Sequence, residues 1–410
     1  MRSKQSDTDT KHEPQQAGHR RLHLPIKLRA ATQILALLST ALLCHTGLNA
    51  QTPPRRVIVA YVFPQTAVLQ PGDIAANKLT RINYAFANIK DGKIIDGFPT
   101  TAANLAALTA LRQQNPSLTV LASVGGWTWS GAFSDVALTP QSRAIFIDSV
   151  VAFIERHNID GLDIDWEYPG MIGNGNRFRP EDKQNYTLLL KELRQRFNRE
   201  EKRLHRRLFL TIATGSSQEF LDHTEMAEVQ KYVDTVNLMA YDYYEPGSEP
   251  TTGHHAPLLT NPNDPKHISA DNSVREYEQA GVPAAKIVLG VPFYGHVWGQ
   301  VPATNHGLFQ PGKPIPNVFA KYSDISNTML ASGYTRYWDA TADAPYLYNP
   351  QKQIFVSYED PESLALKSKY LLDHHLGGIM FWEYSADPSG TLLDAIDKGL
   401  NQPAAQKAAK

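Results

Sequence analysis

The stretch Asp160-Gly-Leu-Asp-Ile-Asp-Trp-Glu-Tyr-Pro-Gly170 carries four acids within eight residues. Leu162, Ile164 and Trp166 alternate with Asp163, Asp165 and Glu167. A period of two is that of a strand, so the three acids point one way and the apolar set the other. Pro169-Gly170 ends the strand. Three like charges on one strand face repel one another, which raises at least one pKa and forces protons to be shared. A carboxyl that keeps its proton near neutral pH is what a general acid requires. Acidic runs often line solvated faces, but apolar Phe153, Ile154 and Ile159 lead into this one. The order of acids and glycine is not that of an EF-hand. The stretch therefore reads as a reaction site.

Outward from it, short apolar runs alternate with helical patterns, the arrangement of a parallel sheet covered by helices. Strands are predicted at Arg56–Phe63, Arg81–Ala87, Leu118–Val124, the acidic stretch, Arg207–Ala213, Val233–Tyr241, Lys286–Phe293 and Gly377–Glu383. Helices are predicted over Ala102–Gln114, over Pro140–His157 and from Pro180. Eight such strands give an α/β fold, a (β/α)8 barrel, over residues 51–401. The segment from Gly295 to Pro361 is too long for a bare loop. It contains two strand-like runs, Tyr334–Asp339 and Gln353–Ser357. A small α+β insertion over 298–358 is expected there, between strands seven and eight. The Ala/Lys/Gln-rich end, 402–410, is expected to fray.

The 410 residues hold 40 Lys and Arg against 41 Asp and Glu, a net charge of -1. The first fifty contain seven basic and three acidic residues, leaving a mildly acidic body. Nothing in this balance suits a nucleic acid or an anionic membrane. Residues 1–50 read as an export signal with a long basic lead: an apolar run from Ala30 to Leu43, then Thr46-Gly-Leu-Asn-Ala50. That run is short for a membrane span. A secreted product without membrane attachment in its mature form is expected. The one cysteine, Cys44, lies in this segment, so the body has no disulfide to rely on.

The acidic stretch resembles the signature of the family 18 glycoside hydrolases, the chitinase family. The resemblance extends from about Arg56 to Leu400. It implies the same barrel, with an insertion that walls the substrate cleft. It also implies substrate-assisted retaining hydrolysis, in which the substrate's own N-acetyl oxygen is the nucleophile. Glu167 is then the acid that protonates the glycosidic oxygen. Asp165 holds the acetamide N–H and steadies the charge that forms there. Asp163 shares a proton with Asp165, and Asp160 is structural. Val236-Asn-Leu-Met-Ala-Tyr-Asp242 matches the family's sixth strand. There Tyr241 would donate to the acetamide carbonyl, Asp242 would hold the sugar and Met239 would line the pocket. Trp382 matches the tryptophan beneath the sugar at the cleavage point, and Trp127 an aromatic on the leaving-group side. Tyr61, Phe86, Trp129, Tyr168 and Tyr294 are further candidates for sugar contact, since aromatic rings offer large faces at low entropic cost.

The chain departs from the family pattern at two strand ends. His296 follows Tyr294-Gly295 where many relatives have Arg, and Glu383 stands where a small polar residue is common. His254 and His255, in a Gly/Pro-rich loop, have no third ligand at metal spacing and read as surface residues. No metal and no cofactor are expected. The expected partners are chitin or chitooligosaccharides, and the expected state is a monomer. Two other readings remain open: an endo-β-N-acetylglucosaminidase acting on N-glycans, and a non-catalytic sugar-binding protein on the same barrel.

Overall fold

The computed structural model describes residues 56–401 apart from 317 and 319. The export segment expected over 1–50, with Cys44, and the tail expected over 402–410 lie outside the described residues.

The strands are β1 Val57–Val62, β2 Arg81–Lys90, β3 Lys93–Asp96, β4 Thr119–Gly125, β5 Gly161–Asp165, β6 Phe209–Gly215, β7 Thr235–Met239 and β8 Ile287–Pro292, with β15 Gly378–Trp382 near the end of the chain. β1, β2, β4, β5, β6, β7, β8 and β15 pair in parallel in that order, and β15 returns to β1. The sheet is therefore closed, an eight-stranded barrel of the expected (β/α)8 class. Long helices cover it, among them Pro140–His157, Asp182–Leu204 and Pro361–Asp373. Thr139 caps the first of these through the Ser142 N–H, with Pro140 at the first position, where its missing N–H costs nothing.

β3 was not foreseen. It folds back antiparallel on the end of β2 through Asp91 and Gly92, both at positive φ. That is the backbone of a two-residue hairpin turn, which Asp-Gly favours.

β5 is placed by contacts on both of its faces. Leu162, Ile164 and Trp166 are buried against the helical layer, where Trp166 stacks on Phe133 at 5.3 Å and meets Tyr186 edge-on at 5.7 Å. Asp163 and Asp165 face the barrel interior. At the start of the strand Gly161 has φ +153, and a Cβ there would lie 1.9 Å from the Phe209 carbonyl oxygen. Any other residue would push β6 away.

The insertion is a six-stranded sheet made of β9 Tyr294–Gly299, β10 Lys313–Pro314, β11 Ala320–Lys321, β12 Thr335–Asp339, β13 Ala344–Asn349 and β14 Ile354–Ser357. Its pairings are antiparallel. Its helical parts are short: Thr304–Gly307, Tyr322–Asp324 and Ile325–Met329. β9 follows β8 after a single residue, so the inserted sheet begins ahead of the boundary expected at 298. The apolar run through Phe293 hid the change of sheet.

Candidate functional site

Strand geometry brings the acids together at the C-terminal end of β5. Asp163, the deepest, is fully buried. Tyr61 and Ser123 donate their hydroxyls to Oδ2, each at 2.8 Å, and Thr211 and the Asn237 amide donate to Oδ1. The register explains this set: Ser123 on β4 and Thr211 on β6 stand opposite Asp163 on its two neighbouring strands. Burial raises the Asp163 carboxyl, and the hydroxyls of Thr211, Ser123 and Tyr61 offset only part of that rise.

Asp165, two residues on, is 4% exposed, and its Oδ1 has no hydrogen-bond partner among the described residues. Burial, then the charges of Glu167 and Asp163, raise its carboxyl well above the ordinary range. No hydrogen bond joins Asp163 and Asp165 among the described residues. Both Asp163 oxygens are taken by other donors, and the neighbour that acts more strongly on Asp165 is Glu167.

Glu167 lies beyond the last residue of β5 and is 9% exposed. Burial lifts its pKa to about 7, with Asp242 and Glu245 adding to the rise and a hydrogen bond from Tyr168 opposing it. Its backbone is pinned by N–H donation to Ser130 Oγ at 2.9 Å and by the Asn176 amide on its carbonyl. Gly125 and Gly126 allow the neighbouring strand end to come this close. Both have positive φ, and a Cβ on Gly125 would lie 2.2 Å from the Asp165 carbonyl oxygen.

Tyr241 and Asp242 follow β7. Burial, then the carboxylates of Asp242, Asp165 and Glu167, raise the Tyr241 pKa, so its hydroxyl keeps its proton. Asp242 has φ 58, in the left-handed region. It is held there by the Tyr294 hydroxyl at 2.6 Å and His296 Nε2 at 2.8 Å, both on Oδ1. Burial would raise the Asp242 carboxyl, but the imidazoles of His255 and His296 more than offset this and keep it ionised.

The aromatics divide into two groups. Trp382, half-buried, stacks on Phe86 at 5.5 Å and 23° and packs on Phe63 and Tyr61. Met239 joins the same interior cluster. Trp127 is 50% exposed and meets the half-buried Tyr168 edge-on at 6.5 Å. These two can meet a ligand at the cleft. Tyr61 and Tyr294 are buried, and their hydroxyls donate to Asp163 and Asp242. Phe86 is buried behind Trp382. Trp129 packs on Phe98 at 5.0 Å. The Ala85–Phe86, Glu167–Tyr168 and Trp382–Glu383 peptide bonds are cis. Glu383 turns its carboxylate to Ser385, as a cap. Asp160 is structural: it accepts from Arg112, Arg206 and the Val120 N–H. A surface hollow of about 610 Å³ near Asp96, Ala106 and His157 contains none of these residues.

His254 and His255 are not surface residues. Both are buried, His254 bonding Asp339 at 3.0 Å and His255 standing 3.6 Å from Asp242. Loop composition suggested exposure, but the insertion closes over this loop, with Ser357 accepting the His255 N–H.

Residues 57–387 match the family described as glycosyl hydrolases family 18. The chain belongs to that family. It is 37% identical over 389 residues to Chitinase A1 of Niallia circulans, covering 80% of this chain and 56% of that one. Among solved structures, a multi-modular, cell-surface-expressed chitinase from Paenibacillus sp. superposes with TM-score 0.80 at 39% identity, covering 85% of this chain and 33% of that one. A family 18 N-acetylglucosaminidase from Paenibacillus barengoltzii superposes with TM-score 0.76 at 39% identity, covering 84% of this chain and all of that one. This family 18 chain thus spans about half the length of the Niallia relative and a third of the multi-modular one.

The sequence reading missed Ser123, Thr211 and Asn237, which hold Asp163. Their signal was a polar residue at mid-strand in an otherwise apolar run, on the inward period-two positions. His255 and His296 carried no such signal, since the fold alone brings them together across 41 residues of chain.

Proposed function

We propose that this family 18 hydrolase cleaves the β-1,4 bonds of chitin and chitooligosaccharides by substrate-assisted retaining hydrolysis. The chitinase relatives support the substrate. One observation carries the chemistry: a carboxyl with pKa about 7, Glu167, next to a buried carboxyl, Asp165, whose Oδ1 has no partner. In the reaction Glu167, protonated near neutral pH, donates to the glycosidic oxygen. Asp165 accepts the acetamide N–H of the sugar at the cleavage point, which turns the acetamide oxygen onto the anomeric carbon. The Tyr241 hydroxyl donates to that oxygen and fixes its direction. The cyclic intermediate that forms carries positive charge, and Asp165 stabilises it. Glu167, now ionised, takes a proton from the water that opens the ring. Asp163, held by its donors, adds to the charge that raises the Asp165 carboxyl. Trp382 supports the sugar's apolar face, and Trp127 receives the leaving side. Export to the cell exterior, from the composition of residues 1–50, belongs to the same reading.

The Paenibacillus N-acetylglucosaminidase favours a second reading, release of single N-acetylglucosamine units. Product sizes decide between the two. Purified protein given the N-acetylglucosamine tetramer, pentamer and hexamer should release dimers and trimers early. Monomer as the sole early product would establish the second reading. Saturable binding without hydrolysis would remove both and leave a sugar-binding protein.

A further inference from the structure

We infer that Asp242, His255 and His296 form a binding site for a divalent transition-metal ion of the zinc type at the rim of the cleft. One ligand atom from each, two imidazole nitrogens and a carboxylate oxygen, lies within 4.8 Å of the others. Two imidazoles and a carboxylate are a donor set that suits Zn²⁺, with bond lengths of about 2.0–2.2 Å. Tetrahedral bonds of that length separate the donors by about 3.3–3.5 Å. His255 Nδ1 and Asp242 Oδ1 are 3.6 Å apart and His296 Nε2 and the same oxygen 2.8 Å, and with all three donors within 4.8 Å, shifts of about an ångström reach that spacing.

A second observation is independent of this spacing. His255 is wholly buried, yet neither ring nitrogen has a hydrogen-bond partner among the described residues. Buried polar atoms are rarely left so, and each one calls for an explanation such as an ion. The ring is held in place by its backbone, whose N–H reaches Ser357 Oγ at 2.9 Å and whose carbonyl accepts from Tyr243 at 3.1 Å. Its ring lies 4.7 Å from that of His296, nearly perpendicular. The site is open on one side, since the Asp242 side chain is 35% exposed and that of His296 17%. An ion can therefore enter from the cleft and keep a fourth position for water. Among positive groups, Lys367 is neutralised by its buried partner Glu359. The Tyr294 hydroxyl, now on Oδ1, can move to the other Asp242 oxygen.

The site itself does not depend on the chitin reading. A consequence for activity does rest on it: an ion on Asp242 occupies the carboxylate proposed to hold the sugar, so it should inhibit hydrolysis, and chelation should restore it.

The test is calorimetric titration of the full-length, EDTA-stripped protein with zinc sulfate, with elemental analysis after gel filtration. One Zn²⁺ per chain is expected, bound at least about tenfold more weakly by His255→Asn and His296→Asn. No uptake, or uptake with unchanged affinity in both variants, would overturn the site. Should His255→Asn fail to fold by circular dichroism, His296→Asn, at a partly exposed position, decides alone. Zinc binding that these substitutions weaken, in a protein that does not hydrolyse chitooligosaccharides, upholds the site and removes only the reading of the cleft.

Discussion

Glu167 keeps its proton to about pH 7 because its carboxyl is buried and faces the charges of Asp242 and Glu245. A general acid works only while protonated, so kcat/KM for an N-acetylglucosamine oligomer should fall as pH rises through about 7. A basic limb near the ordinary glutamate value would contradict this assignment. Glu167→Gln removes the donated proton while keeping the shape. Turnover should drop by about 10²–10⁴-fold while oligomer affinity survives, and comparing kcat with a binding isotherm checks both. Asp163 sits at the centre of a different balance. Asp163→Ala leaves Tyr61, Ser123, Thr211 and Asn237 with lost partners in a closed interior. Each unsatisfied group costs about 1–3 kcal/mol, so thermal unfolding should show a loss of several kcal/mol. A variant as stable as the parent would mean that the four groups find other partners. At this scale the period-two alternation made Asp163, Asp165 and Glu167 legible in the sequence. The division of labour among them was not legible, because it depends on what β4, β6 and β7 set opposite each acid.

Elements were legible where one periodicity ran unbroken. The helix Pro140–His157 matches its expected span because Thr139, Pro140 and the apolar face agree. The strands carried enough β-branched and apolar residues to be found to within a few positions. β9 and β13 were not distinguished. β9 continues the apolar run of β8, and β13, Ala344–Asn349, is rich in tyrosine with a proline, so it lacks a clear alternation. The insertion is tied to the barrel at one helix start. Asp360 caps Pro361–Asp373 by accepting from the Glu362 and Ser363 N–H groups, and its other oxygen accepts from Arg336 on β12. Asp360→Ala should cost about 1–2 kcal/mol from the cap alone. Limited proteolysis should then cut the insertion before the barrel. Equal protection in the two proteins would show that other contacts hold the insertion.

The described residues form a closed barrel with an inserted sheet beside its C-terminal rim, and the barrel follows from counting eight strand patterns along the chain. The insertion's presence was legible from its length. Its effect on the site was not, since Tyr294, His296 and Ser357 reach Asp242 and His255 only through the tertiary fold. These contacts join the sheet's position to the cleft, so changes in the insertion should be felt by the ligand. In the whole arrangement the substrate's acetamide replaces an enzyme nucleophile, and water opens the intermediate from the face that the leaving group left, opposite the acetamide oxygen. This arrangement is tested most directly by the anomeric form of the first products from the N-acetylglucosamine hexamer, followed by proton NMR before mutarotation. β-Anomeric products at the earliest times are predicted. α-Anomeric products would contradict the account, because they would require water to attack the anomeric carbon directly, with Asp165 or Glu167 as its base.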